Sequence, residues 1–458
     1  MEMTPELKAL LTQPRTPEDL KIPSALISDI IYRLLFGERE VSVVRMSEVI
    51  RVSSQVLDPI LAQMQLDHLL EVAKTGALGR LSYTYRLTEE GTRRAREAME
   101  RSSYIGPAPV DLETYSQVIL IQTAQENRIP PSQVKRALNQ LVLPQNFHRR
   151  VGPVVNAGTS MFLYGPPGNG KTTIAEICGE LLSRSEPIWL PYALTVGGQI
   201  IQIHDPLLHV LAETPEDPKN SKSAALAKNV DNRWALFRRP VVMAGGELTM
   251  DSLELRFEPI AKFYEAPLQL KANGGMFLID DFGRQTMRPD ELLNRWIVPL
   301  EEEIDYLRLQ TGQTVKVPFK ELIVFSTNLD PGDLVDGAFL RRIQMKVEVV
   351  GPDEKMYFRI FTIVCREMNF PFDQNAFLYL LRKWYQEPRR VMQAVHPRDI
   401  VKTIISICEY EDIPPQMTPE LLDEACACYF VDLDRRKDWA TTAAVAGGPR
   451  LSPYPTRL

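Results

Sequence analysis

The run Gly165, Pro166, Pro167, Gly168, Asn169, Gly170, Lys171, Thr172 and Thr173 combines what binding a polyphosphate requires. Glycines at 165, 168 and 170 let successive backbone N–H groups turn inward onto one anion. Lys171 supplies a cation for the β and γ phosphates, and Thr172 a hydroxyl for a magnesium ion. Thr173 lies at the start of the helix expected over Lys171 to Leu182, whose N-terminal dipole favours negative charge. Cleaving a phosphoanhydride needs more than a cradle, because the metal must be held from a second side and a water must be deprotonated for in-line attack. Met276, Phe277, Leu278 and Ile279, followed by Asp280 and Asp281, read as a buried strand ending in two carboxylates. Asp280 is placed to hold magnesium and Asp281 to activate the water.

The elements that must position these groups are short and apolar. Strands are expected over 161–164, 276–279 and 322–325, with helices between them, which is the pattern of a parallel α/β sheet covered on both faces. Past Gly351 and Pro352 the strand pattern ceases and helices run to about Leu433. Roughly 110 residues separate Lys171 from Asp280, too many for a simple crossover, so inserted structure is expected over about 184–275. Its middle, 213–222, is polar and proline-rich and reads as an exposed loop.

Ahead of this core, residues 1–20 read as a flexible leader. Apolar residues at helical spacing predict helices over 24–36, around Met46 to Ile50, and from Ser53 or Ser54 to Leu69. Two strands, 70–73 and 81–87, bracket a glycine-rich tip, and Thr88 starts a further helix. This order resembles the winged helix-turn-helix domain of many bacterial regulators and assigns 21–103 to a small α+β domain. Gly106, Pro107 and Pro109 break secondary structure, so 104–144 is expected as a linker and helical connector.

Taken with later motifs, residues 145 to 433 resemble an AAA+ ATPase module. The glycine loop and the Asp280–Asp281 pair correspond to its Walker A and Walker B motifs, and Phe325, Ser326, Thr327 and Asn328 to the sensor 1 strand. The resemblance implies that Asn328 helps place the attacking water and that Val151 and Gly152 begin the adenine pocket. It also implies that Arg342, with Arg341 second, is an arginine finger acting on a neighbouring subunit, and that Arg398, in the run His396 to Asp399, is the sensor 2 residue. The implied architecture is a parallel-sheet core over 145–350 and a helical lid over 351–433, followed by a flexible tail over 434–458. A hairpin expected over 306–317 and Arg284 after the acidic pair resemble the MoxR and RuvB-like branches, which makes Arg284 a rival residue acting in trans. The family has Glu where this chain has Asp281, one methylene shorter.

A net charge of -6 gives no overall attraction to nucleic acid or anionic membrane. Five scattered cysteines without paired C-x-x-C spacing suit reduced thiols, and no apolar run is long enough to span a membrane, so a cytoplasmic protein is expected. The implied ligands are ATP and Mg2+, and the implied assembly is a homo-oligomeric ring, possibly a hexamer. Three functions remain open: a chaperone-like or protein-remodelling ATPase, an ATP-dependent DNA-binding regulator or loader using the winged helix, and a slowly hydrolysing nucleotide switch. The expected recognition helix carries no Lys or Arg, whereas Arg93, Arg94, Arg96 and Arg101 cluster on the next. That balance favours protein interaction over DNA.

Overall fold

In the computed structural model, which describes residues 3–76, 79–124, 129–212, 229–334 and 337–430, the three expected apolar runs form strands and two more join them. They are β1 (Ser160–Tyr164), β2 (Val241–Ala244), β3 (Met276–Ile279), β4 (Leu322–Thr327) and β5 (Met345–Glu348). The order is β2-β3-β4-β1-β5, and every neighbouring pair is parallel. Both faces are covered, which is why these strands are continuously apolar instead of alternating. On one face Met161, Leu163, Leu278 and Val324 pack with Ile174 and Cys178 of the helix after the glycine loop. On the other, Phe162, Phe277 and Phe325 pack with Trp296.

Position in this order decides the chemistry. β4 lies between β1, which leads into the glycine loop, and β3, which ends in Asp280. The polar end of β4 is therefore inserted between the glycine loop and the acidic pair.

The chain divides into two compact units, residues 1–166 with 171–349, and residues 167–170 with 350 onward. The second is helical: Glu354–Glu367, Gln374–Leu380 continuing into a π turn over Leu381–Gln386, His396–Tyr410 and Pro419–Tyr429. Asp353, Asp373 and Thr418 cap three of these helices through their side chains. Tyr357, Phe361, Phe377, Ile404, Leu422 and Cys426 form its own core.

In the first unit, Ser24–Glu38, Val43–Ile50, Ser54–Leu66 and Glu89–Arg101 are helices, and Glu40–Ser42, Thr84–Leu87 and Leu70–Lys74 form an antiparallel sheet in that order. The strand expected over 81–87 begins only at Thr84, because Gly79–Ser82 is a 3-10 turn.

Two expectations are corrected here. The described part of 1–20 is not a flexible leader: Pro5–Leu10 is a helix capped by Thr4, and Leu7 and Leu11, one helical turn apart, are fully buried with Val110 and Tyr115. Nor do residues 104–111 behave as a linker. Val110–Asp111 pairs in parallel with Ala193–Val196 of the insertion, and the expected helical connector follows as Leu112–Thr123, which contributes Tyr115, Val118 and Ile119 to the same core, and Pro131–Leu138. The proline-rich composition marks a turn into a sheet. The expected loop at 213–222 lies outside the described residues, as does the tail at 434–458. Among the described residues no helix is long and apolar enough to cross a membrane.

The insertion is the platform on which the amino-terminal segment sits. Ala193 and Ile200 belong to the core of the 24–101 region, and Ser103 N donates to Ala261 O at 2.7 Å. A buried ion pair ties the parts together. Arg233 makes two-pronged contact with Asp231, its Nη2 2.7 Å from Oδ2, and its Nη1 donates to Leu20 O and Pro109 O. Asp231 N in turn donates to Leu11 O. Removing one member of a buried pair strands the other charge, so Asp231→Ala is expected to lower the unfolding free energy by about 3–5 kcal/mol, read by urea denaturation.

Candidate functional site

The glycine loop has the backbone that its sequence requires. Gly165, Gly168 and Gly170 have φ of 135°, 73° and 82°, and a Cβ on Gly165 would lie 2.4 Å from Val349 O. The helix starts at Lys171 without an intervening residue. Lys171 is buried, and its Nζ donates to Gly165 O at 2.8 Å, Pro166 O at 2.9 Å and Asn328 Oδ1 at 2.6 Å. Burial pulls its pKa down, opposed by Asp281 and Asp280. The Thr172 hydroxyl donates to Asp280 Oδ2 at 2.9 Å, so the two oxygens expected to share a metal are already adjacent.

Asn328 joins the loop to the second carboxylate. Its Oδ1 accepts from Lys171 and its Nδ2 donates to Asp281 Oδ1 at 2.8 Å. The amide orientation is forced, since an ammonium group only donates and a carboxylate only accepts. Asp281 adopts a φ of 49°, uncommon for a residue other than glycine, in the turn that ends β3.

Gln285, which helps build this turn, escaped the sequence reading, and Thr327 was read only as part of the strand leading to Asn328. Gln285 Nε2 donates to Asp280 O and its Oε1 accepts from Gly283 N, both at 2.8 Å. The Thr327 hydroxyl donates to Phe282 O at 2.7 Å, and Phe282 N donates to Ser326 O at 2.7 Å. A glutamine six residues beyond a strand carries no motif. The available signal was polarity at a fully buried strand end.

The remaining expected residues are scattered. Thr173 is exposed on the first turn of its helix. Val151 and Gly152 are buried in the helix His148–Ala157, Val151 within the same core as Ile174. Arg342 lies at the opposite end of β1 from the glycine loop: Ser160, the first residue of β1, donates through its hydroxyl to Arg342 O. A five-residue strand spans about 16 Å, so Arg342 and the loop of its own chain are far apart. Its Nε is 2.6 Å from Glu301 Oε1. Arg341 Nε donates to Gly337 O at 3.3 Å. Arg284 is exposed, and its N–H donates to Asp281 O. In the second unit, Arg398 is exposed and faces Glu367 at 3.6 Å.

For a metal, the described residues hold no cluster of three or more Asp, Glu, His or Cys. Magnesium on a nucleotide needs no such cage, since waters and phosphate oxygens complete its shell, and the Thr172–Asp280 pair fits that chemistry.

Residues 353–428 match a family model described as a domain of unknown function, DUF8689. A comparison with curated proteins finds no match. Among solved structures the chain is similar to NtrX from Brucella abortus in complex with ATP, at 14% identity and TM-score 0.39, covering 78% of this chain and 68% of that one. It is also similar to the Thermotoga maritima RuvB Holliday junction branch migration motor, at 13% identity and TM-score 0.37, covering 67% and 79%. A complex between the BchI and BchD subunits of magnesium chelatase matches at 16% identity and TM-score 0.30, covering 63% and 94%. Strand order and loop geometry show a parallel α/β core with a glycine loop between its first strand and the helix that follows.

The Thr327 hydroxyl spans β4 and the acidic turn, so its removal leaves Phe282 O without that donor. Thr327→Val is expected to cost about 1–3 kcal/mol in a denaturation experiment.

Proposed function

We propose that this chain binds ATP with magnesium and hydrolyses it, working as a ring-forming AAA+ ATPase that remodels a protein client. The observation that carries the reading is the continuous hydrogen-bonded line from Lys171 through Asn328 to Asp281, with Thr172 and Asp280 alongside.

In this reading the N–H groups of the glycine loop and the Lys171 ammonium receive the β and γ phosphates. A magnesium ion held by Thr172 and Asp280 would neutralise charge on those oxygens. Asn328 and Asp281 orient a water in line with the γ-phosphorus, and Asp281 takes its proton as the phosphoryl group transfers. Asp281 is one methylene short of glutamate, but its left-handed backbone and the Asn328 hydrogen bond fix where that shorter carboxylate stands. That geometry supports hydrolysis over a silent nucleotide switch.

Arg342 is assigned to the neighbouring subunit's site. At the far end of β1 from its own phosphate loop, it has a route to a γ-phosphate only across an interface. Arg398 is assigned as the sensor 2 arginine, and Val151 and Gly152 as the start of the adenine pocket.

The DNA reading is not favoured. Arg93 and Arg94 each pair with Glu90 and Glu97, and Arg101 pairs with Asp29, so three of the four arginines of the basic cluster carry their own counter-charges. Phosphate recognition needs cations free to displace counterions. The 24–101 region is better suited to organising the ring or receiving a protein partner.

Lys171→Ala is expected to abolish nucleotide binding measured by equilibrium dialysis, and Asp281→Asn to retain binding while cutting multiple-turnover phosphate release at least about 100-fold. Unaltered turnover in Asp281→Asn would overturn the assignment of the base. Arg342→Ala subunits are inactive alone, whereas mixing them with Lys171→Ala subunits regenerates phosphate release, because each supplies what the other lacks.

A further inference from the structure

The tip of the glycine loop, Pro167–Gly170, clusters with the C-terminal helical unit, and the contacts responsible are specific. Val395 N donates to Gly168 O at 2.9 Å. Ala394 N donates to Asn169 Oδ1 at 3.1 Å, and Asn169 is buried at 5% exposure. The fit is close. A Cβ on Gly168 would stand 2.7 Å from Val395 Cγ1 and 2.8 Å from Gln393 Oε1, and one on Gly351 would stand 2.5 Å from Met392 O.

A buried polar line holds the donating segment from behind. His396 Nδ1 lies 3.0 Å from the Tyr385 hydroxyl, which lies 2.6 Å from the Tyr357 hydroxyl, and His396 N donates to Gln393 O. His396, Tyr385 and Tyr357 are all buried in the unit. The segment is thus pinned to the helical core on one side and to the loop tip on the other.

The consequence lies in one peptide plane. The C=O of Gly168 and the N–H of Asn169 share a rigid plane and point in opposite directions. Fixing Gly168 O on Val395 N therefore fixes where the Asn169 N–H points. In a phosphate loop that N–H is one of the donors that must converge on the anion.

We propose that Gln393, Ala394 and Val395 form a clasp that preorganises the phosphate loop through Asn169, making Asn169 a positioning residue that links nucleotide affinity to the helical unit. The inference rests on the ATP-binding reading above. It gives the 393–395 stretch of the DUF8689-matching region a definite task. It also accounts for Asn169 as a side chain, since a loop donor needs only its backbone. By reciprocity, a clasp that aids phosphate binding is itself tightened when phosphate is bound.

The test uses the full chain with ADP and ATP as probes. Asn169→Ala removes the acceptor for Ala394 N, and Asn169→Ser, whose hydroxyl is too short to reach it, guards against a folding defect in the first variant. Both should raise the ADP Kd about fivefold or more, with the effect on ATP turnover falling on KM more than on kcat. Amide hydrogen exchange over 390–398 should slow on ADP addition in the wild type and lose that response in the variants. If the wild type binds ADP and the variants match it within twofold, the clasp is overturned while the ATP reading stands. Failure of the wild type to bind ADP or ATP would overturn both.

Discussion

Lys171 and Asp281 belong to elements far apart in the sequence, and the Asn328 side chain touches both. An ammonium group can only donate and a carboxylate can only accept, so a carboxamide is suited to stand between them with one end for each. That contact exists because β4 lies between β1 and β3. Much of the core serves this placement. The stacked and edge-on rings of Phe162, Phe282, Phe325 and Trp296 beneath it hold β1, β4 and the acidic turn in fixed relation. Side chains locked by packing cost little reorganisation when charge develops, which is the physical basis of electrostatic preorganisation.

A second constraint acts at the periphery. The long interval between the glycine loop and the acidic strand is a scaffold that shares a core with the amino-terminal helices and takes Val110–Asp111 into its own sheet. The Asp231–Arg233 pair secures this by binding carbonyls contributed by residues 20 and 109. The hairpin Ile304–Arg308 with Thr314–Pro318 is absorbed into the same assembly: Leu307, Val315 and Val317 are buried, and Gln310 N donates to the Tyr264 hydroxyl. A hairpin anchored in this way is part of the insertion's core. It is not a freely moving loop.

Within the second unit the tip of the glycine loop is held by residues remote in sequence. The Tyr357–Tyr385–His396 line backs the segment whose N–H groups donate to Gly168 and Asn169. Loops that cradle phosphate gain affinity when their donors are aligned before the ligand arrives.

The nine-residue run from Gly165 to Thr173, the Asp280–Asp281 pair and the apolar strands around them were readable from residue type alone, because phosphate cradles and buried parallel strands tolerate so few side chains. The sheet interior was readable for the same reason. Residues 1–20 and 104–111 were misread, since short segments rich in proline and polar residues look unstructured until Leu7, Leu11 and Val110 are seen sharing a core with residues beyond 188. Gln285, the bond made by Thr327 and the contact on Asn169 were invisible, as each acts through hydrogen bonds to backbone atoms that no sequence spacing encodes. Sequence alone singled out the groups whose chemistry suits a phosphoanhydride. Tertiary structure alone decided that Asn328 stands between Lys171 and Asp281 and that Arg342 lies a strand's length from its own loop, because both follow from strand order, which only long-range packing selects.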